Sequence, residues 1–451
     1  MSIHREILRL AVPSILANIT IPLGGLVDTA IVGHISDASA IGGIAIGTML
    51  FDLLYWNFGF LRVGTSGLTA QAYGREKTHP DSPHEGRGSE VGSLLFRSLR
   101  VALIGALACI AIQWLFVKGV LALVPCSAEV AAFAERYFFV RIWAAPATLS
   151  LMALKGWFIG MQDTVSPMAT DILVNVVNML ASYVLAVYTP LGGVGVAWGT
   201  LIAQYAGLTL ALGILGKKYQ LTPSLNREGR GGSSLFRLNS QLFVRSLCFM
   251  VVYVGFTSLA SKYGDTELAV SAILMKLFML FSYFVDGFAY AGEALVGKQI
   301  GEMKVSAAGQ GSPSASLVSR LRSVVIALFA WSLGVGAVFT LVYALWGNGC
   351  IGMMTDDAAV LAAAMPYMGW LIAMPIVSTL AFMWDGVYVG AAAGREIMIA
   401  MIWAAVAFVA GYVATEPLWG VQALYVGYFA HLLARVIYLT AKWRRVIRNE
   451  E

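Results

Sequence analysis

Twelve apolar runs, each long enough to cross a lipid bilayer, dominate this sequence. A spanning helix needs about 20 predominantly apolar residues because the hydrocarbon core is about 30 Å thick. Gly, Pro and charged residues separate the runs. They predict membrane helices at about residues 7–34, 39–73, 91–124, 130–161, 164–188, 192–216, 238–263, 266–300, 318–347, 357–391, 395–415 and 418–441. We therefore expect an all-α integral membrane protein.

Composition excludes a large soluble catalytic domain beside these helices. Of the 451 residues, 59% are apolar and 12% are charged, whereas soluble domains average about 45–50% and 25%. The four cysteines show no CxxC spacing, so neither a disulfide framework nor a zinc site is expected. No HExxH, GxSxG, GxGD or Walker sequence occurs. We expect no enzyme activity, no metal or cofactor and no nucleic-acid partner.

The basic residues predict the orientation of the chain. With the N-terminus in the cytoplasm, 23 of the 30 Lys and Arg residues fall in cytoplasmic segments, and the opposite side holds only Lys118, Arg136 and Lys262. The positive-inside rule then puts both termini in the cytoplasm. We expect a multi-pass, monomeric protein of the cell inner (cytoplasmic) membrane, surrounded by membrane lipids.

A polar stretch divides the predicted helices into two sets of six. Residues 217–237 open with KKYQLTPSLNREGRGGSS, which is rich in Gly, Ser and charge. We expect this segment to be a cytoplasmic linker between an N-terminal lobe of residues 1–216 and a C-terminal lobe of residues 238–451.

The two sets also resemble each other in sequence. Without gaps, the segment from Ala45 to Glu76 overlays the segment that begins at Ala272. A slightly larger shift matches three further pairs, Tyr137 with Tyr367, Gly156 with Gly386, and Gly160 with Gly390. Duplicated units with an even number of spans are parallel repeats. The expected fold is therefore twelve transmembrane helices in two pseudo-symmetric six-helix lobes with a cavity between them.

Asp28 lies inside the first predicted helix, where a charge costs about 2.5–3.5 kcal/mol at the bilayer centre. Pro13 and Pro22 precede it, and each removes a backbone donor and favours a bend. One interpretation is a structural carboxylate bonded to freed backbone or to a neighbouring hydroxyl. The other is an ion-coupling carboxylate, which the fifth helix favours.

The fifth predicted helix carries a polar stripe with i, i+4, i+7, i+11 spacing, which keeps its members within an arc of about 60°. The sixth helix adds Thr200. Ordinary interhelical hydrogen bonding explains such a stripe equally well when it is considered alone. However, Asp28 meets Gly255 when Ala45 is overlaid on Ala272, and the eleventh helix has no stripe. We therefore expect an ion site confined to the first lobe, with stripe residues Asp171, Asn175, Asn178 and Ser182.

Charged residues also lie in the second and eighth predicted helices. They are Arg62, Lys276, Asp286 and Glu293. One interpretation pairs Arg62 with Glu293 or Lys276 with Asp286, so that the charges neutralise one another and line a wet cavity. The alternative makes them substrate contacts or a latch between the lobes.

Six segments resemble the MATE (multidrug and toxic compound extrusion) family, specifically its DinF-like branch. The match covers essentially the whole chain and rests on order and spacing rather than on one diagnostic motif. The segments are LVDTAIVGHISDASAIGGIAIG (26–47), LFDLLYWNFGFLRVGTSGLTAQAYG (50–74), GMQDT (160–164), NVVN (175–178), GGVGVAWGTLIAQ (192–204) and FVDGFAYAGEALVGKQIG (284–301).

The resemblance implies a two-lobed antiporter that exports organic, often cationic or amphipathic, compounds in exchange for protons or sodium. By matching position, Asp28 resembles the family's ion-coupling carboxylate and Pro13 the proline at which the first helix bends. Asn178 and Thr200 resemble the polar partners of that carboxylate. Such a carboxylate is expected to gain and lose a proton as the cavity opens and closes.

Ser182 departs from the family pattern, because many relatives carry a second Asp at this position. Protons are therefore the expected coupling ion, with sodium as the alternative if Asp171 substitutes for the missing carboxylate. Two other functions stay open at this point. One is a lipid-linked sugar flippase of the same superfamily, and the other is a non-transporting membrane receptor or scaffold.

Overall fold

The computed structural model describes residues 2–35, 38–78, 90–124, 126–219, 232–310, 312–355 and 357–450. These residues form fifteen α-helices and contain no strand. The helices are α1 Ile3–Ile35, α2 Ala38–Tyr55, α3 Gly59–Thr78, α4 Glu90–Leu121, α5 Ala128–Arg141, α6 Ala145–Gly160, α7 Val165–Tyr188, α8 Gly195–Ile214, α9 Gly232–Ala260, α10 Asp265–Gln310, α11 Ala315–Gly352, α12 Ala358–Ala364, α13 Met368–Gly390, α14 Gly394–Trp419 and α15 Gln422–Glu450.

Three pairs of these helices are continuous spans broken by a 3-10 turn. The turns are Trp56–Phe58 between α2 and α3, Ile142–Ala144 between α5 and α6, and Met365–Tyr367 between α12 and α13. Fifteen helices therefore make twelve membrane-length segments, at the predicted positions. Among the described residues, eleven segments are long and apolar enough to cross a membrane. The twelfth is α1, which has 33 residues, and the all-helical prediction is confirmed.

Several helices extend beyond their predicted ends. Helix α10 continues to Gln310 and α15 to Glu450, while α9 already begins at Gly232. Residues 232–237 of the predicted linker are therefore helical, whereas 220–231 lie outside the described residues. The apolar pattern marks only the part of a helix that lies in the bilayer, and charged residues such as Lys and Arg continue the helix into water.

The same backbone turn occurs twice in the chain, and its two copies are separated by the shift that pairs Gly156 with Gly386. Gln162 and Ala392 are the two described non-glycine residues with positive φ, at 65° and 52°. Each comes two residues after the end of a helix, at Gly160 for the first and Gly390 for the second. The span before each of them is also one that a 3-10 turn interrupts. The same turn is thus built twice in the chain.

Side-chain burial separates two main apolar cores from two smaller clusters. One consists of residues between Ile31 and Ala197, and the larger one consists mainly of residues between Leu238 and Leu439. The start of α1 packs with the larger core. The outer surface is also apolar, for example at Leu115 and Leu345, which are 79% and 78% exposed. Lipid is the solvent that favours such a surface.

The first and second halves of the chain meet along α3, which packs against α10 and α13. Glycines allow this approach. A Cβ atom at Gly67 would collide with the carbonyl of Val389, and one at Gly74 with the carbonyl of Lys298. By contrast, the main helix contacts of α2, the other part of the same span, are with α1, α4 and α5 in its own half. The two halves therefore pack most closely along the α3 part of this span.

Candidate functional site in the first half

Asn178 on α7 is the centre of a buried polar cluster. Its amide nitrogen donates to Thr200 Oγ1 on α8 at 3.0 Å and to Ser182 Oγ at 3.3 Å. All three side chains are buried. Gly199 allows this packing, because a Cβ at that position would collide with Ser182. The predicted association of these three residues is present in the structure, as a hydrogen-bonded cluster between α7 and α8.

Asn175 connects the same face of α7 to α1. Its amide nitrogen donates to Thr20 Oγ1 at 2.6 Å, and that hydroxyl donates to the carbonyl of Ala17. The first and fifth spans run in the same direction across the membrane. Residues the same number of positions after this contact therefore lie at the same height on the two helices. Asp28 comes eight residues after Thr20, and Ser182 comes seven after Asn175. The register thus puts the backbone of Asp28 level with Ser182; the side chain of Asp28 lies outside the described residues.

Both prolines predicted to bend the first helix lie inside α1, which is helical throughout. Pro13 has no N–H, so the carbonyl of Arg9 loses its helical partner. The Thr164 hydroxyl, which precedes α7, donates to that carbonyl at 3.5 Å. Near Pro22, Asn18 Nδ2 donates to the carbonyl of Tyr283 on α10 at 3.3 Å. Helix α1 therefore contacts both halves of the chain beside its prolines.

Asp171 does not join the Asn178 cluster. Its carboxylate accepts a hydrogen bond from Lys155 Nζ on α6 at 2.5 Å. Seven residues separate it from Asn178, which corresponds to about 10 Å along a helix. The polar face of α7 thus has two parts. Asp171 at one end contacts Lys155, and Asn178 at the other end contacts the hydroxyls of Ser182 and Thr200. A face calculated from spacing alone cannot show which neighbouring helix each position meets.

Charged residues between and within the halves

The predicted pairing of Arg62 with Glu293 is confirmed. Arg62 Nη1 on α3 lies 3.1 Å from a carboxylate oxygen of Glu293 on α10, and Arg62 Nη2 donates to the other oxygen at 3.3 Å. Glu293 is only 3% exposed. The guanidinium also lies over the Tyr290 ring, 4.4 Å from its centroid. This pair links the two halves of the chain.

The predicted pairing of Lys276 with Asp286 is wrong. Both residues lie on the continuous helix α10, and ten residues correspond to about 15 Å of rise. Neither side chain forms a hydrogen bond or ion pair with any described residue. Asp286 instead lies within electrostatic range of Arg62, Glu293, Asp385 and Arg245.

Sequence reasoning missed a buried ionic cluster inside the second half. One carboxylate oxygen of Asp385 on α13 accepts from Arg245 of α9 at 2.6 Å and from Arg435 of α15 at 2.5 Å. Asp385 is 8% exposed and Arg435 is 1% exposed. His431, on the same face of α15, is also buried. The available signal was that Asp385 and Arg435 are both ionisable residues inside predicted spans, which require partners.

The GMQDT turn after α6 also carries charge. Asp163 accepts hydrogen bonds from Lys218 and Tyr219, each at 2.8 Å, and from Ser166. Burial raises the pKa of Asp163, but these donors stabilise the carboxylate and hold its pKa below the ordinary value. The neighbouring Gln162 donates to the carbonyl of Ala294 on α10 at 2.7 Å. The turn therefore links α6, the residues that follow α8, and the second half.

A protein-family model described as MatE matches the chain twice, at residues 13–184 and 242–413. The offset between the two starting residues falls between the offset that pairs Ala45 with Ala272 and the one that pairs Gly156 with Gly386. A duplicated unit accounts for all three offsets.

The chain is also similar to individual proteins over most of its length. The chain is 33% identical to DNA damage-inducible protein F of Escherichia coli (strain K12), over 99% of this chain and 94% of that protein. It is 26% identical to Multidrug and toxin extrusion protein 1 of Homo sapiens over 349 residues, covering 74% of this chain and 58% of that protein. A crystal structure of MATE in complex with MaL6 has the same fold, with a TM-score of 0.84 at 16% identity, over 99% of this chain and 97% of that one.

Proposed function

Because the chain belongs to the MATE family, in its DinF-like branch, we propose that it is a cation-coupled antiporter that exports organic, often cationic or amphipathic, compounds. Members of the family are multi-pass membrane transporters and not enzymes. The proposal places the protein in the inner membrane as a monomer with both termini cytoplasmic. It assigns residues 1–216 to an N-terminal lobe and 238–451 to a C-terminal lobe, joined by the linker 217–237.

The observation that carries this proposal is the Asn178, Thr200 and Ser182 cluster. It lies level with Asp28 in register, and it consists of neutral groups that can exchange hydrogen bonds without leaving a buried charge unpaired. Asp28 is the proposed coupling carboxylate. When it is ionised, the amide of Asn178 and the two hydroxyls are available as donors. When it is protonated, they can return to bonding one another.

The halves of the chain provide the proposed alternating access. In the structure they are closed along α3, where glycines bring its backbone against α10 and α13. Transport requires a second state in which α3 separates from α10 and the other end closes. The Arg62–Glu293 pair and the Gln162 contact to Ala294 lie across this interface. They are the proposed bonds that break and re-form in each cycle.

Protons are the proposed coupling ion. Proton entry down a membrane potential provides about 2.3 kcal/mol per 100 mV for each charge. Sodium requires several oxygen ligands, and the cluster offers hydroxyls and one amide beside Asp28. Asp171, the alternative second carboxylate, is already paired with Lys155.

Dye efflux from inverted membrane vesicles tests the function. Proton and sodium gradients are imposed separately, and accumulation of a fluorescent organic cation is followed in vesicles with and without the protein. We expect accumulation with a proton gradient alone, and its collapse when an uncoupler is added. Accumulation that needs sodium and ignores the pH gradient would reject proton coupling. Absence of movement under either gradient would reject the transporter proposal for these compounds.

A further inference from the structure

A large open groove lies on the second half of the chain, and all of its lining residues belong to that half. It has a volume of about 1130 Å³ and lies between α11 and α15, which both pack on α13. Most of its lining is apolar or aromatic, including Phe329, Trp384 and Trp443. The Trp384 ring packs against Phe329 and Trp443, with centroids 4.9 and 5.5 Å away.

Two arginines line the same groove. Arg322 lies in the second turn of α11, and Arg444 lies in the last two turns of α15. Both side chains are exposed, and neither forms an ion pair or hydrogen bond with a described residue. Since α11 begins and α15 ends on the same side of the membrane, both arginines are at one end of the apolar surface. Thr440, one turn before Arg444, adds a hydroxyl.

We propose that this groove is a binding site for an anionic phospholipid. A phospholipid has the matching distribution of chemistry, because its phosphate is at one end and its acyl chains are apolar. Arginine pairs with phosphate through parallel N–H donors, and basic pockets between membrane helices on the cytoplasmic side bind anionic head groups. The apolar lining then holds an acyl chain against Phe329 and the two tryptophans. The inference does not depend on the proposed function.

The occupied groove adjoins the ionic cluster of the second half. Trp384 lines the groove, and the next residue on α13 is Asp385, which holds Arg245 and Arg435. Val436, next to Arg435 on α15, lines the groove as well. A bound lipid therefore packs α13 and α15 together at the level of that cluster.

The test measures lipid binding to the purified full chain by native mass spectrometry, with phosphatidylglycerol and phosphatidylcholine as probes. Wild type should retain phosphatidylglycerol in preference to phosphatidylcholine. The double variant Arg322→Gln/Arg444→Gln should lose about thirtyfold in phosphatidylglycerol affinity, given the usual contribution of each basic residue near anionic lipid. A matched variant, Arg320→Gln/Lys442→Gln, removes two charges from the same helices at positions that do not line the groove, and it should stay close to wild type.

Quenching locates the acyl chain. Phosphatidylglycerol with brominated chains should quench tryptophan fluorescence in wild type, and Trp384→Phe or Trp443→Phe should reduce the quenched fraction. Equal losses of lipid affinity in both double variants would overturn the proposal, as would quenching that is unchanged in both tryptophan variants. A dimer in wild type that the Arg322→Gln/Arg444→Gln variant dissociates would assign the groove to a second copy of the chain instead.

Discussion

The two halves of the chain share a backbone plan, but the buried polar cluster on α7 and the one on α13 differ in charge. In the first half, Asn178, Ser182 and Thr200 form a neutral hydrogen-bonded cluster. In the second half, Asp385 holds two arginines through one carboxylate oxygen. Neutral hydrogen bonds are worth about 1 kcal/mol and can be exchanged, whereas removing one member of a buried ion pair leaves a charge without compensation.

The difference extends to the helices that correspond by the repeat. Helix α7 buries Asn178 and Ser182, while α14 buries a row of apolar side chains that includes Ile397, Met401 and Phe408. Duplication therefore preserved the shape of the unit and not its polar positions. The proposed ion coupling therefore falls on the neutral cluster of α7, and the charged cluster of α13 is expected to contribute to stability.

The largest expected effect comes from neutralising Asp28, the proposed coupling carboxylate of the first half. Asp28→Asn should reduce gradient-driven efflux to the rate of protein-free vesicles, because a neutral isostere cannot titrate. Expression and thermal stability should remain near wild type, since no buried charge is added. Efflux assays in inverted vesicles measure the effect, with facilitated dye equilibration as the control for an intact substrate path. Active efflux at wild-type rates in this variant would move the coupling site out of the first half.

In the second half, we expect neutralising Asp385 to reduce stability and to leave coupling unchanged. Asp385→Asn should lower the free energy of unfolding by about 3 kcal/mol, because the buried charge of Arg435 and the half-buried charge of Arg245 lose their counter-ion. Thermal unfolding in detergent, followed by tryptophan fluorescence, measures this loss. In the variant protein that remains folded, the ratio of proton entry to dye export should be unchanged. A changed ratio without loss of stability would give the second half a coupling role and erase the contrast.

A smaller effect is expected for the hydrogen-bond partners in the first half. Asn178→Ala and Thr200→Ala should each weaken coupling by about twofold to tenfold, since each removes at least one buried hydrogen bond worth roughly 0.6–1.5 kcal/mol. The measurement is the dye gradient reached at a fixed pH gradient.

Ala407 corresponds to Asn178 when the two family-model matches are aligned from their first residues, 13 and 242. Ala407→Ser is therefore the matched change in the second half and should leave the gradient unaltered. Equal losses at both positions would indicate general packing defects.

Sequence predicted the helices better than it predicted the partners of charged residues. Apolar runs located all twelve spans because the bilayer imposes a minimum length on each. The polar contact of Asn178 with Thr200 was also predictable, since adjacent spans joined by a short loop must pack together. The pairing of Lys276 with Asp286 failed because a pairing by charge alone ignores helix rise. The Asp385 cluster was missed because its members come from three helices far apart in the chain.

The smallest effect concerns the choice of coupling ion. Ser182 is fully buried and accepts a hydrogen bond from Asn178, so an aspartate there would add a carboxylate level with Asp28. Two carboxylates offer a sodium ion more negative charge than hydroxyls do, and broken membrane helices bind such ions through clustered oxygens. Ser182→Asp should therefore make efflux respond to sodium, whereas wild type responds to pH alone. The size of the effect is limited because Gly199 leaves little room around position 182.

Ser182→Asn, which has the same shape without the charge, is the control. Sodium stimulation of that variant to the same degree would attribute the effect to shape. Sodium-dependent efflux in the unmodified protein would show instead that the first half already holds enough oxygen ligands, and the contrast in charge between the halves would then not determine the ion.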